Sequence, residues 1–424
     1  MVTALVPLFF GLLIFGLPIF ASLALAVTLA LGLWSGMDPM IVPMRMFSGM
    51  NNFSLMSIPY FILAAELMRI GGLSERLIGL ARSLIGWLPG GLAAAVVLAC
   101  LLFGSISGSS PATVIAIGSI MYPAMVAAGY DKYFSIGLIT TAGTLGPIVP
   151  PSIALIIYGS VTSTSVGMLF AAGLVPALVI GGMLIAYTTW YSIRKGYPRD
   201  PLPTLSSITT AFRRAAWGLG LPVILLGGIY TGVFTPTESA ATACLYGWLV
   251  GAVVYRTISL KDTLAILKGT ALLSGPLLLI TAGASAFSWL LATTGTPSQI
   301  AAEVLSSTDS PFLIMLLFNV LLLIAGCFLD SASAIIILAP LMQPIAAQVG
   351  VDPIHFGIIM LVNLSVGMLT PPVGLNLFVA MGVAKMSLFE VFRAALPTIL
   401  LMLIALLVLT YVPQLSLMLP RLLY

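Results

Sequence analysis

Two apolar segments, each interrupted by glycine and proline, decide the fold of this chain. Residues 143–152 have the sequence GTLGPIVPPS, and residues 365–374 have the sequence SVGMLTPPVG. Both belong to a longer ungapped match between residues 109–159 and 330–380, at an offset of 221 residues. Five of its nine identities are Gly or Pro, the residues that determine where a backbone turns or breaks. The pattern predicts an internal structural repeat with a broken helix in each copy.

The composition places most of the chain in a membrane. Apolar residues make up 60% of its 424 residues and charged residues 7%, whereas a soluble domain carries about a quarter charged residues. Backbone polar groups in lipid must be satisfied internally, so the composition predicts an all-α polytopic membrane protein in contact with membrane lipid. The net charge of +4 comes without a dense basic run, which argues against nucleic-acid binding.

Twelve apolar stretches organise the chain, and we expect about 10–11 transmembrane helices from them. Residues 3–34 fit either two short helices or one long tilted helix. Spans are predicted near residues 3–17, 18–34, 53–70, 133–157, 165–193, 217–235, 238–255, 270–292, 354–380 and 394–412.

The remaining two apolar stretches, 91–128 and 312–349, are interrupted by polar residues at SISGSSPAT (105–113) and LDSASA (329–334). Each arm is shorter than the roughly 20 residues of a spanning helix. Two short arms around a polar tip predict a re-entrant helical hairpin, which is tolerated at membrane depth only where protein or water covers it.

The placement of basic residues sets the orientation of the two hairpins. If 91–128 opens to the inside and 312–349 to the outside, fourteen of the sixteen Lys and Arg residues lie inside, and only Arg45 and Arg421 lie outside. That bias is the one that the positive-inside rule describes. The two hairpins are therefore predicted to face opposite ways, as an inverted repeat.

The hairpin tips and helix breaks supply the candidate site. Hydroxyls and backbone carbonyls released by proline suit a hard, weakly charged cation such as Na⁺. Helix N-termini beside the tips carry positive dipole ends that favour an anion. Candidate cation ligands are Ser105, Ser107, Ser109, Ser110, Gly143, Thr144, Gly146, Asp330, Ser331, Ser333, Ser365, Gly367 and Thr370. Candidate substrate contacts are Ser109, Ser110, Thr113, Pro147, Ser331, Pro371 and Asn376.

Structural alternatives exist for several of these residues. Asp330 is aligned with Ser109, and it either makes the second site negatively charged or caps the helix that follows, two roles that are compatible. Glu238 is expected to cap a helix, and Glu66 to pair with Arg69. No nucleotide-binding, zinc-protease or catalytic-triad motif appears, so the sequence does not predict an enzyme or an ATP-driven pump.

Five segments in order, FGSISGSSPAT, TAGTLGPIVPPS, GVFTPTESAA, LDSASAIIILAP and VGMLTPPVGLNLF, resemble the large membrane subunit of tripartite ATP-independent periplasmic (TRAP) transporters. The resemblance implies a multi-pass protein of the bacterial inner membrane that imports an organic acid, such as a C4-dicarboxylate or sialic acid, with Na⁺. It implies two partners: a small four-helix membrane subunit and a periplasmic substrate-binding protein. In this family Na⁺ sites lie at each tip, which places them at 105–110 with 143–146 and at 330–333 with 365–370.

The resemblance also implies an elevator mechanism, in which a transport domain slides against a scaffold. The transport-domain repeats are predicted at 89–160 and 311–382, and scaffold segments at 1–88, 161–268, 269–310 and 383–424. Amphipathic stretches at 74–87, 204–214, 259–268, 298–305 and 387–393 are either lateral interfacial helices around the scaffold or ordinary loops. Helix caps, such as Ser74 with Glu75, are expected to begin some of them. A stand-alone sodium/dicarboxylate symporter of similar architecture is the main alternative; a channel or a membrane-embedded enzyme fits less well.

Overall fold

The computed structural model describes residues 2–34, 36–51, 53–295, 299 and 310–424. Every regular element among these residues is helical, which confirms the predicted all-α class. The helices are α1 (Val2–Ile14), α2 (Ile19–Trp34), α3 (Ile41–Met50), α4 (Ser57–Ile70), α5 (Leu73–Ile85), α6 (Gly91–Ser107), α7 (Ser110–Ala127), α8 (Lys132–Ala142), α9 (Leu145–Ile148), α10 (Ile153–Thr162), α11 (Val166–Lys195), α12 (Leu205–Tyr230), α13 (Pro236–Leu249), α14 (Leu260–Thr293), α15 (Pro311–Phe328), α16 (Ser331–Gln348), α17 (Pro353–Gly367), α18 (Leu375–Ala384), α19 (Leu388–Tyr411) and α20 (Gln414–Leu423).

Seven of the described helices are long and apolar enough to cross a membrane: α7, α11, α12, α14, α15, α16 and α19. The count becomes eight if α8–α9 and α10, bent by 43°, form one broken span. Other predicted spans are shorter as helices; α1 and α13 have 13 and 14 residues. Because length does not separate a short span from a re-entrant arm, the re-entrant path of the two hairpins stays a prediction.

The repeat identities have local structural roles. Gly129 and Gly350 both adopt a left-handed φ, +86° and +83°, just after the second hairpin arm. Asp131 and Asp352 then cap α8 and α17 by accepting backbone N–H bonds. The Pro-Pro pairs at 150–151 and 371–372 lie in the breaks between α9 and α10 and between α17 and α18, and both contain a cis peptide bond. The offset therefore marks equivalent backbone positions in two copies of one unit.

The two copies interlock at the centre of the molecule. The second half of each broken helix packs against the second arm of the other copy's hairpin: α10 against α16, and α18 against α7. The first halves form the core, because every residue from 134 to 152 and from 355 to 369 is buried. Around them, α14 packs on α2, α3 and α4, and α13 packs on α4 and α12.

The predicted lateral helices need a correction. Stretches 204–214, 259–268 and 387–393 begin with capping residues as expected, but each continues without a break into the long helices α12, α14 and α19. A change from polar to apolar composition is not a helix stop, and none of the three stretches ends in a residue that breaks the helix here. Most of the stretch 298–305 lies outside the described residues.

The stretch 74–87 does form a separate helix, α5, packed on α6 and α12. Its predicted cap is wrong, because α5 begins at Leu73 after Gly72 in a left-handed conformation, and Ser74 is buried. At the N-terminus the open question is resolved in favour of two helices, since Gly16 (φ +85°) separates α1 from α2. The short helices α3 and α20 were not predicted.

An ion pair fastens α5 to the loop between α11 and α12. The Arg82 guanidinium donates to both carboxylate oxygens of Asp200, over 2.6 and 2.9 Å. The backbone N–H of Asp200, in the same loop, also donates to the Gly86 carbonyl. Hydrogen bonding to Arg82 lowers the pKa of Asp200 below its ordinary value near 3.8. A depressed pKa means that the pair stabilises the fold above that ordinary value and is lost as the pH falls through the folded-state pKa.

Asp200→Asn should therefore lower the melting temperature at pH 7 by a few degrees at most. Both side chains are partly exposed, so the pair contributes less than about 1 kcal/mol. Thermal unfolding from pH 7 down to pH 2 checks this: the difference between the wild type and the variant should be present at pH 7 and diminish as the pH falls below about 3.8. Arg82→Gln should behave alike, and a wild-type melting temperature for both variants at pH 7 would contradict the assignment.

Candidate functional site

Two glycines bring the first hairpin tip onto the first helix break. A Cβ added to Gly104, in the last turn of α6, would lie 2.9 Å from the Cα of Gly146. At the tip, Gly108 has a left-handed φ of +57°, and an added Cβ would lie 2.9 Å from the Pro151 carbonyl oxygen. Real Cβ atoms do not come so close to backbone, so the approach requires glycine at both positions.

Three neutral oxygens gather at this contact. The Thr113 hydroxyl donates to the Ser109 carbonyl over 2.8 Å, and the Ser107 hydroxyl lies 3.0 Å from Thr113 Oγ1. A Cβ on Gly146 would meet Thr113 Oγ1 at 2.6 Å and the Ser109 carbonyl oxygen at 2.7 Å. Clustered carbonyl and hydroxyl oxygens of this kind are the ligand type that hard cations take.

Other candidates of the first repeat are placed less directly. The hydroxyls of Ser105 and Thr144 donate to carbonyls of their own segments, Leu102 and Thr141, both over 2.7 Å. Gly143 packs against the side chain of Val114, and Pro147 is buried within α9.

The second hairpin meets the second break in the same manner. A Cβ on Gly326, near the end of α15, would lie 3.0 Å from the Cα of Gly367. The backbone N–H groups of Val373 and Gly374, after the Pro-Pro pair, both donate to the Cys327 carbonyl over 3.2 and 3.1 Å. The tip and the break are therefore joined by backbone bonds as well as by contact.

Asp330 gives this second tip a carboxylate where the first has Ser109. It caps α16 by accepting bonds from Ser333 N (3.1 Å) and Ser333 Oγ (2.5 Å), which confirms the capping alternative. The carboxylate is half-buried, so it brings a negative charge into the protein interior. Ser365 and Thr370 donate to carbonyls one turn earlier, those of Leu361 and Val366.

A chain of contacts connects the two hairpins. Ser331 Oγ donates to Met368 Sδ over 3.2 Å, Asn376 N donates to the Met368 carbonyl over 3.2 Å, and Asn376 Nδ2 donates to Ser110 Oγ over 2.6 Å. Ser110 and Ser331 are an offset pair at the first positions of α7 and α16. The structure thus brings together three predicted substrate contacts, and it adds Met368, which no sequence pattern indicated.

Two buried amide oxygens in this region have no hydrogen-bond partner, Asn363 Oδ1 and Asn376 Oδ1. Unpaired buried acceptors call for a bound donor or cation. Among the described residues no three His, Cys, Asp or Glu side chains cluster as a metal site.

Comparison with known proteins identifies the family. Residues 6–415 match the family model of the "Tripartite ATP-independent periplasmic transporter, DctM component". The chain belongs to the DctM family. It is a multi-pass protein of the bacterial inner membrane and a transporter permease subunit, and its nature as a transporter argues against an enzymatic role.

Two relatives illustrate how closely DctM proteins match this chain. The C4-dicarboxylate TRAP transporter large permease protein of Rhodobacter capsulatus is 44% identical and covers 98% of both chains. The sialic acid TRAP transporter large permease protein of Vibrio cholerae is 36% identical over 97% of this chain and 96% of its own.

A longer relative and a solved structure complete the comparison. The isethionate TRAP transporter permease protein DctMQ of Oleidesulfovibrio alaskensis is 43% identical over 96% of this chain but only 65% of its own length. The solved YdaH transporter of Alcanivorax borkumensis, 18% identical, shares the fold with a TM-score of 0.64 and 86% of each chain covered.

Gly146→Ala tests the first oxygen cluster. The added methyl would occupy the space beside Thr113 Oγ1 and the Ser109 carbonyl, so we expect sodium affinity to fall by roughly tenfold, as for an overpacked site. Radioactive sodium binding to the purified protein measures the effect. Gly182→Ala in α11, where an added Cβ meets nothing within 4 Å, is the control. Unchanged sodium affinity in Gly146→Ala would place the cation elsewhere.

Proposed function

We propose that this chain imports an organic acid together with Na⁺, as the membrane-embedded transport subunit of a three-part system. The observation that carries the proposal is the pair of hairpin tips held against two helix breaks and joined through Met368 and Asn376. Discontinuous helices of this kind hold both ions and anionic substrates in secondary transporters. The N-termini of α7 and α16, at Ser110 and Ser331, supply the positive dipole ends for an acid group.

The two proposed cation sites are chemically unequal. The first consists of the Ser107 and Thr113 hydroxyls with the Ser109 carbonyl, beside Gly146. The second includes the Asp330 carboxylate next to the Gly367 break. A charged ligand holds a cation more strongly in a low-dielectric site than a neutral oxygen does, so we expect the second site to bind Na⁺ first.

The substrate class is an organic acid, with a C4-dicarboxylate as the first candidate. Relatives named for C4-dicarboxylates are 42–44% identical to this chain over at least 94% of its length. The isethionate relative, at 43%, is equally similar, whereas those named for sialic acid and ectoine are 36% identical. We therefore propose that the site recognises an acid group rather than a particular carbon skeleton.

The proposed mechanism is an elevator movement in which both repeats move together. Contacts of α19 indicate whether this helix belongs to the moving unit. Thr398 Oγ1 lies 2.7 Å from Thr141 Oγ1 of the first break. Thr410 Oγ1 accepts from Asn319 Nδ2 of α15, which in turn holds Asn363 of α17. These buried bonds connect α19 to both repeats. We therefore include α19 in the proposed moving unit, which shortens the predicted C-terminal scaffold segment 383–424.

The proposed partners are a small membrane subunit and a periplasmic binding protein. The longer isethionate relative supports the first, because that protein has about a third of its length outside the match to this chain. The binding protein would deliver the acid at the outer face, and its bound ligand would identify the substrate.

The decisive function test is uptake by proteoliposomes that contain the chain with its two partners. Uptake of labelled succinate, or of the acid that copurifies with the binding protein, should saturate and should require both a sodium gradient and the binding protein. Sodium-driven uptake without the binding protein would instead indicate a stand-alone symporter, and non-saturating flux would indicate a channel.

Asp330→Asn and Thr113→Val test the two cation sites in the same assay. Each removes a proposed ligand at nearly constant shape, so each should raise the sodium concentration for half-maximal uptake by roughly tenfold. Thr140→Val is the matched control, because Thr140 is equally buried but bonds only to Ile136 of its own helix. If both variants kept the wild-type sodium dependence, the site assignment would be wrong.

A cross-link tests the boundary of the moving unit. Cysteines at Thr141→Cys and Thr398→Cys should form a disulfide, because the two hydroxyls are 2.7 Å apart. If α19 moves with the repeats, the oxidised double variant keeps its uptake rate. Single variants treated with the same oxidant control for other thiol chemistry. Loss of uptake on oxidation, restored by a reductant, would assign α19 to the scaffold.

A further inference from the structure

We propose that the cavity between α3, α14 and the end of α10 receives the anionic substrate at the outer face, and that Arg45 draws the anion into it. The inference rests on the proposed function for the identity of the anion as an organic acid. The cavity measures about 440 Å³ and adjoins neither hairpin tip. Basic-residue placement puts the N-terminal end of α4, the C-terminal end of α10 and the C-terminal half of α14 on the outer side of the membrane.

A polar stripe on α14 lines this cavity. Thr281, Ser285 and Ser288 follow each other at spacings of four and three residues, which places them on one face of the C-terminal half of α14. Opposite them, Ser48 and Asn51 contribute from α3 and its end. Polar side chains on a membrane helix face protein or a water-filled cavity rather than lipid, and here they face a cavity.

Ser160, near the C-terminal end of α10, lines the side of the cavity that the first repeat forms. Its hydroxyl oxygen is enclosed and has no hydrogen-bond partner. Ser160 also lines an adjoining cavity of about 550 Å³, together with Ser163 and Thr164. An enclosed hydroxyl without a partner costs free energy unless a ligand or water pairs with it. A carboxylate or sulfonate oxygen would accept a hydrogen bond from it.

Arg45 supplies the positive charge next to this cavity. It lies one helical turn before Ser48 on α3, and its guanidinium carbon sits 5.0 Å from the ring centroid of Trp289, the residue after Ser288. Stacking on Trp289 holds the charge at the α3–α14 contact. None of the described residues that line the cavity is acidic.

The other outer basic residue has a different setting. Arg421 lines a separate cavity of about 480 Å³ that also contains Asp352, so the two charges offset each other there. Two acidic residues near these outer elements are engaged locally: Glu238, two residues after Pro236 of the adjoining cavity, accepts from the backbone N–H and the hydroxyl of Thr235, and Asp38, ahead of α3, accepts from the backbone N–H of Met40. The α3–α14 cavity is therefore more favourable for an anion than the cavity beside Arg421. Its walls come from both the scaffold and the first repeat.

A reactivity assay tests the site without requiring transport. In right-side-out spheroplasts, Ser288→Cys is exposed to an anionic (sulfonatoethyl) and a cationic (trimethylammonium-ethyl) methanethiosulfonate, with each rate normalised to that of a free thiol. The sulfonate reagent should react about fivefold faster, as expected for one nearby positive charge acting on probes of opposite sign. The wild type, whose cysteines are buried or half-buried, measures the background.

The same ratio in Arg45 variants decides the role of Arg45. Arg45→Gln should bring the ratio to about one, and Arg45→Lys should keep it, because the charge remains. Arg421→Gln should leave it unchanged. Loss of the preference in Arg45→Lys as well would indicate a purely structural role for stacking on Trp289. A ratio that survives Arg45→Gln, or no reaction from outside, would overturn the proposal.

Uptake measurements then connect the cavity to the proposed function. Arg45→Gln should raise the KM of the acid about fivefold without changing the maximal rate, since capture is weakened while the hairpin tips are intact. Equal KM values for the wild type and Arg45→Gln would mean that the cavity does not lie on the substrate path. A wild-type protein without sodium-dependent uptake contradicts the proposed function, and the thiol ratio still reports on the cavity.

Discussion

The close approach of backbone to backbone at the two hairpin tips is the constraint on which the rest of the structure depends. Gly104 lies against Gly146, and Gly326 against Gly367, at distances that no side chain permits. Each contact covers a stretch of unwound chain with protein, and unwound chain is tolerated in a membrane only under such cover. The burial of residues 134–152 and 355–369 follows from this arrangement, because the breaks must lie at the centre of the molecule.

Much of this architecture could be predicted because it is local and occurs twice. Gly129 and Gly350 need a left-handed conformation, and Asp131 and Asp352 cap the next helix, so each identity reflects a backbone requirement that sequence shows directly. The membrane class could likewise be predicted from composition, and the interrupted helices from the positions of proline. The number of membrane spans is less direct to read, because length does not distinguish short helices such as α1 and α13 from re-entrant arms.

What the sequence could not show are the contacts between the repeats. Asn376 binds Ser110 across 266 residues, although its offset partner, Leu155, is apolar. Interlocking of α18 with α7 creates this bond, and no pattern within either copy contains it. Met368 was not among the predicted site residues either, because an apolar methionine in an apolar helix does not stand out in the sequence. The prediction of separate lateral helices was wrong for a different reason. A helix continues until a stop signal ends it, and a change from polar to apolar residues is not such a signal.

The difference between Ser109 and Asp330 gives the two halves distinct electrostatic roles. If each proposed site holds one sodium ion, the two cations and the Asp330 carboxylate leave a single positive charge between the tips. A monocarboxylate would neutralise it, whereas a dicarboxylate would leave one negative charge. The N-terminal ends of α7 and α16 are the groups placed to offset that remainder. Their positions relative to each other are fixed by the Ser110–Asn376–Met368–Ser331 contacts, so the interlocking of the repeats determines where these two dipole ends lie.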